Sequence, residues 1–292
     1  MRTIFVENTQ RIAIKEGLLS FFDGDQERAL ALCDVGALVI ANHSTTLSVA
    51  ACHALDAHDV LCLICDPKHQ PSLMMLNLYK YHRLTTRLKK QMLWSVERKQ
   101  TAAKTLLFYK ILHQQKHLEH CAIDGFEELD SILMRMEEEK SFQQLEAQAA
   151  RLYFKRLFGP YFIRFEDTFI NHALNYTYMC LSAVIAQVVV AKGLHPSLGI
   201  LHDSSFNNFN LIYDLIEVYR PLADFIVYQS TINHTALTKA CKKELLSIFD
   251  TYVMFDGRKT SLKRSVEFFV DSFIQHMESG TRMHVPEVCF GG

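Results

Sequence analysis

Several features that would place a chain in a class at once are missing here. The N-terminus, MRTIFVENTQ, has no positively charged start followed by an apolar run, so no secretory leader is expected and the cytoplasm is the expected compartment. The most apolar stretch, residues 176–191, is too short to span a bilayer and contains Gln187, so it reads as a buried helix and no membrane partner is expected. Net charge is almost absent, −1 at neutral pH, which excludes a global field drawing the protein to nucleic acid. Eight cysteines without a secretory context are expected as free thiols. Cys62 and Cys65 form a C-x-x-C inside a strand-like run, where residues three apart face opposite ways, a poor fit to a zinc knuckle. The first seventy residues hold no phosphate-gripping glycine loop and no acid–base cluster.

What is present supports a globular protein. Hydrophobic residues make up 49% and charged residues 22%, enough for a substantial core, and the length suggests about two domains. The runs TIFVEN, RIAIKEG, LLSFFDG, RALALCD and GALVIAN predict short strands. A helix-like insert over 45–58 precedes a last strand, VLCLICD, and a linker with Pro67 and Pro71 ends the β region. From about residue 82 the pattern is helical. The expectation is an α+β protein: a β-rich domain over 1–75 with a structural or dimerising role, then a helical domain over 82–285.

Charge is segregated along the helical part. Residues 80–110 hold nine Lys or Arg and one acid, Glu97, while residues 119–139 hold eight acids and one base, Arg135. Arg83, Arg87, Lys89, Lys90, Arg98 and Lys99 are therefore candidates for phosphate contacts, with Tyr79, Tyr81 and Trp94 as possible stacking groups. The bland alternative is a solvated basic face and a core tryptophan.

The most informative stretch is 195–224, HPSLGILHDSSFNNFNLIYDLIEVYRPLAD. Phe209, Ile212, Leu215 and Ile216 predict one apolar helix face, and Asn207, Asn210, Asp214 and Glu217 share the other. His202 precedes them on a turn. Imidazole nitrogen plus carboxylate oxygens suits Mn²⁺ or Mg²⁺, and in other geometry Zn²⁺ or Fe²⁺; a helix with solvated carboxylates fits the same residues. Upstream, Glu146 lies beside small residues, one turn before Ala149 and Ala150 and two before Tyr153. Asn171, Asn175 and Tyr178 form a polar stripe on an otherwise apolar helix, and buried amides need partners. Arg220-Pro221 is expected to break the central helix and restart it. Two amphipathic helices, about 235–250 and 260–277, flank a basic loop at 258–264, and the tail VPEVCFGG is expected to fray.

Four arrays in order carry a resemblance: E-x-x-x-A-R-x-Y-F from Glu146, N-x-x-L-N-Y-x-Y from Asn171, G-x-x-H from Gly199, and D-L-x-E-x-x-R-P-x-x-D from Asp214. Over 146–224 the chain resembles the CRISPR-associated integrase, the first Cas protein, which is the endonuclease-like subunit of spacer acquisition. The resemblance implies that Glu146, His202 and Glu217 hold one Mg²⁺ or Mn²⁺ as the catalytic set, supported by Asp214. It also implies transesterification of duplex DNA by a 3′-hydroxyl, a homodimer formed through the β domain, and a heterohexamer with the small second Cas protein. Glu217 in place of the commoner Asp, with the S-S-F-N-N-F-N run, is similar to the type II variety. Two rivals stand beside it: a metal-dependent phosphohydrolase built on His202-Asp203, with His172 or His195 as further ligands, and a non-catalytic DNA-binding scaffold.

Overall fold

The strand-forming runs near the N-terminus pair with one another. The computed structural model describes residues 2–67, 70–77, 80–138 and 142–291, and the chain divides into two units, Met1–Tyr79 and Lys80–Gly292.

In the first unit β1 (Arg2–Val6), β2 (Arg11–Lys15), β3 (Leu18–Asp23), β4 (Gln26–Leu30), β5 (Val35–Ile40) and β6 (Thr46–Leu47) precede α1 (Val49–Ala57), β7 (Leu61–Cys65) and β8 (Pro71–Met74). One sheet runs β1-β5-β7-β8 and the other β4-β3-β2-β6. Glu16 and Gly17 both have positive φ, the backbone that a tight two-residue turn between β2 and β3 demands. Ile12, Leu19, Leu38, Leu55 and Cys62 fill the core. The RALALCD run splits into β4 and a 3₁₀ turn at Leu32–Asp34. Pro71, expected in a linker, instead opens β8 opposite Cys65 at the sheet edge, one of the few strand positions that tolerates a residue without an N–H.

The second unit contains α2 (Leu84–Met92), α3 (Val96–His120), α4 (Phe126–Glu138), α5 (Phe142–Phe158), α6 (Phe169–Ala191), α7 (Asn210–Leu215), α8 (Arg220–Ser230), α9 (Lys239–Leu245), β9 (Tyr252–Phe255), β10 (Arg258–Ser261) and α10 (Leu262–Ser279). The β-first, helical-second architecture is therefore as expected. Helix α6 is long and apolar enough to cross a membrane, yet 72% of its most apolar window is buried inside the fold. Two local expectations fail. The basic stretch 258–264 is a strand followed by the start of α10, because Asp256 and Gly257 both take positive φ and form a hairpin turn. The tail is docked: Glu287 exchanges both backbone hydrogen bonds with Met254 at 2.9 and 2.8 Å, and the Phe290 ring stacks on His117 at 5.0 Å. An apolar residue at every second or third position of the tail gives it surface to bury.

Candidate functional site

A cleft of about 840 Å³ opens between α3, α5, the loop before α7 and the start of α8. Lys110, Glu146, His202, Glu217 and Arg220 all line it. Three of these, Glu146, His202 and Glu217, are the set that the resemblance implies as catalytic, drawn from segments up to 71 positions apart (146 to 217).

The stretch 195–224 is built differently from a two-faced surface helix. Helix α7 begins only at Asn210, and a 3₁₀ turn at Ile216–Val218 separates it from α8. Asn210, Asp214 and Glu217 are all buried, so the polar face points inward. Asn207 lies in the turn before the helix, where its side chain accepts the Phe209 N–H at 2.9 Å; it does not line the cleft. Asp214 organises the loop. Its Oδ2 accepts the N–H groups of Ile200 and Leu201 at 2.6 and 3.2 Å, and its Oδ1 accepts the His202 N–H at 2.9 Å and ring Nδ1 at 2.7 Å. An acceptor-only carboxylate requires the proton on Nδ1, so in the neutral ring the lone pair is on Nε2. The same bond raises the proton affinity of His202 against the opposing effect of burial. Gly199 explains its place in the G-x-x-H array: a Cβ there would lie 2.3 Å from His202 O and 2.8 Å from Asp214 Oδ2. Asn210 ties the carbonyls of Ser197 and Ser204 at 3.1 and 2.9 Å.

Charge is concentrated on the cleft floor. Lys110 Nζ lies 2.5 Å from Glu146 Oε1 and 2.7 Å from Glu217 Oε2, and Arg220 Nε donates to Glu217 Oε1 at 2.9 Å. Burial works against each of these charges, but the partners win: Lys110 and Arg220 are raised and Glu217 is lowered from their ordinary values. The Arg220 guanidinium also sits 4.5 Å above the Tyr178 ring, and the Tyr178 hydroxyl donates to Asp224. Burial pushes the Asp224 carboxyl up to about 6. Tyr153 lies beneath the cleft rather than in it, fully buried, sharing a 2.6 Å bond with His117 Nδ1.

The amide stripe on α6 has a specific partner that sequence reasoning missed. Arg164 lines the cleft and donates to Asn171 Oδ1 at 2.9 Å and Asn175 Oδ1 at 2.7 Å. Asn171 is buried and returns its N–H groups to Ile163 O and Glu166 O at 2.9 and 3.1 Å, whereas Asn175 is exposed. Arg164 is thus held by neutral amides that leave its charge available. Lys110 was also missed, counted among the basic residues of 80–110. The available signal was its register: it falls on the face of α3 that carries Leu106, Leu107, Ile111 and Leu118, all core.

The expected basic face is only partly a free surface. Arg87 and Lys90 pair with Glu278, the latter at 3.0 Å, and Arg98 donates to Met277 O at 2.9 Å. Three of the six candidates therefore anchor the C-terminal end of α10, because its last turn offers unpaired carbonyls and a carboxylate to nearby cations. Arg83 and Lys89 are exposed and Lys99 is half-buried. Trp94 is core, edge-on to Phe273 at 5.5 Å, and Tyr81 lies under Arg87 and against Gly193. Tyr79 lies outside the described residues.

The residues of the phosphohydrolase reading do not assemble. Asp203 is exposed, His172 pairs with exposed Asp167 at 2.8 Å, His195 bonds Ser197 Oγ at 2.8 Å, and none lines the cleft. Among the described residues no three His, Cys, Asp or Glu side chains already stand together as a coordination shell. The donor set in the cleft is nonetheless suited to a hard divalent ion. Two carboxylates converge on one cation position, the neutral His202 ring has its lone pair on Nε2, and the buried Glu217 Oε2 has no aligned hydrogen bond.

Comparison with known proteins identifies the family of the chain. Residues 4–264 match the family model described as CRISPR associated protein Cas1. The chain is 28% identical over 292 residues to a CRISPR-associated endonuclease Cas1 of Neisseria meningitidis serogroup C, covering 98% of this chain and 96% of that one. Among solved structures it is similar in fold to a casposase bound to an integration product, with a TM-score of 0.80 at 19% identity over 100% of this chain and 96% of that one. It is also similar to a chain of a partial Cas6-RT-Cas1–Cas2 complex, with a TM-score of 0.62 at 16% identity over 98% of each.

Proposed function

Because the chain belongs to the CRISPR-associated Cas1 family, we propose that it is a metal-dependent DNA nuclease and integrase that joins short duplex fragments to a CRISPR array through their 3′-hydroxyls. The observation that carries this reading is the convergence of Glu146, His202 and Glu217 in one cleft with Lys110, Arg164 and Arg220. Glu146, Glu217 and His202 Nε2 would hold one Mg²⁺ or Mn²⁺. When bound, such an ion supplies Lewis acidity at the phosphoryl oxygen and stabilises the attacking and leaving oxygens. Asp214 keeps the His202 proton on Nδ1 and fixes the ring. Arg220 holds Glu217 ionised and in place. Arg164, fixed by amides with its charge unspent, orients the incoming phosphate, since a planar guanidinium matches phosphate oxygens in pairs.

The partners follow the same reading. Duplex DNA, as fragment and as repeat, is the substrate, which the integration product of the casposase structure supports. A Cas1–Cas2 assembly in a relative of the same fold supports the small second Cas protein as a partner, with a homodimer of this chain on either side of it in the cytoplasm. Glu217 as third ligand supports the type II variety.

The test uses short duplex DNA, a supercoiled plasmid bearing the repeat, and Mn²⁺ with and without EDTA. Glu217→Gln keeps size and reach but removes an anionic ligand, so it should abolish strand joining with the fold intact by circular dichroism. Asp203→Asn, on the exposed side of the turn, should retain most activity. The reverse pattern would overturn the assignment.

A further inference from the structure

Lys110 occupies a costly position. Its side chain is only 11% exposed, on the face of α3 that otherwise packs core residues. A buried ammonium persists only where anions compensate it, and two do, from separate elements: Glu146 on α5 and Glu217 on the 3₁₀ turn. Without a cation between them these carboxylates would repel one another in a low-dielectric cleft.

The oxygens are also allocated. Glu217 Oε1 accepts the Arg220 N–H at 2.9 Å, and Oε2 is the atom that faces Lys110 at 2.7 Å. Glu146 Oε1 faces the same ammonium at 2.5 Å. Oε2 is the oxygen of Glu217 most open to a divalent ion, since Oε1 already accepts the Arg220 N–H. A divalent ion on that oxygen would compete with an ammonium at its present distance for the same space and the same negative charge.

We infer that Lys110 is the resident counter-ion of the metal position. It holds Glu146 and Glu217 together before metal arrives and exchanges with the incoming ion for Glu217 Oε2. This rests on the metal-dependent reading above and adds a positioning residue to it. Lys110 sets metal affinity: each binding event displaces an ion pair. Its flexible four-carbon stem lets the ammonium withdraw without moving α3.

The experiment is calorimetric titration of Mn²⁺ into the full chain, paired with denaturant unfolding followed by the fluorescence of Trp94, the single tryptophan, in EDTA and in saturating Mn²⁺. Lys110→Met should bind Mn²⁺ at least about tenfold more tightly, which is about 1.4 kcal/mol. It should lose stability in EDTA and recover it with Mn²⁺. Lys110→Arg, which keeps a fixed charge on the carboxylates, should bind Mn²⁺ no more tightly than wild type. Arg164→Gln removes a charge from the same cleft but not from the carboxylates, and should tighten binding less than Lys110→Met. A folded Lys110→Met with wild-type or weaker affinity overturns the exchange, as does equal tightening by Arg164→Gln. If Lys110→Met folds only with Mn²⁺, the exchange is supported. If it folds in neither condition, Lys110→Arg decides, and tighter binding by that variant overturns it. Absence of any wild-type Mn²⁺ binding that Glu217→Gln removes overturns the metal reading itself, and this proposal with it.

Discussion

Acidification should destabilise the helical unit through two histidines before its ordinary carboxylates titrate. His113 and His117 lie one turn apart on the buried face of α3 and are fully buried. His113 donates from Nδ1 to Val218 O at 2.8 Å and accepts the Val288 N–H at Nε2 at 3.3 Å, so its ring has to be neutral. Burial pushes His113 down to about 4 and His117 to about 3 from the ordinary 6.5. Between 6.5 and those values the unfolded chain binds protons that the folded chain refuses. The stabilisation is therefore complete above pH 6.5 and is lost as the pH falls. Carried to pH 4, each histidine costs about 3 kcal/mol. Asp224 acts in the opposite sense: its folded value of about 6 lies above the ordinary 3.8, so its protonation has returned about 2 kcal/mol by pH 4. The net loss by pH 4 is about 4 kcal/mol, a large share of a typical stability of about 5–15 kcal/mol. Trp94, buried against Phe273, reports unfolding in denaturant titrations from pH 7 to 4.5. His113→Gln should be less stable at pH 7 but lose its share of the pH dependence across that window. A wild-type profile that is flat from 6.5 to 4.5, or an unchanged slope in the variant, would refute the argument.

Two further outcomes follow from the same geometry. Arg83→Ala and Lys89→Ala should leave stability within about 0.5 kcal/mol and each lower the slope of log K for DNA against log salt by about one, whereas Arg87→Ala should cost about 1–2 kcal/mol by removing one of the two cations on the half-buried Glu278; filter binding and Trp94 unfolding separate the two classes, and equal effects would refute the division. Gly199→Ala should cost about 2–4 kcal/mol, since its Cβ has to displace the His202 carbonyl and the Asp214 cap; a loss below about 0.5 kcal/mol in the same unfolding assay would show that the loop relaxes freely.

The order of the fold was legible in the sequence for a physical reason. Period-two runs and period-3.6 faces are local, so strands near the N-terminus and helices beyond residue 82 could be read directly. Glu146, His202 and Glu217 stand in arrays whose spacing is written in the chain. The Asp256-Gly257 turn was equally local and was overlooked. The rest was decided by which surfaces meet. Arg87, Lys90 and Arg98 look like a phosphate-binding face until the end of α10 arrives beside them. The tail looks frayed until β9 offers it a backbone partner and His117 a stacking face. Lys110 looks like one more surface base until α5 and the turn at 216–218 bring two carboxylates to its ammonium. A charge is indifferent to its neighbours in sequence and governed by its neighbours in space, because Coulomb energy depends on distance and local dielectric; tertiary packing sets both.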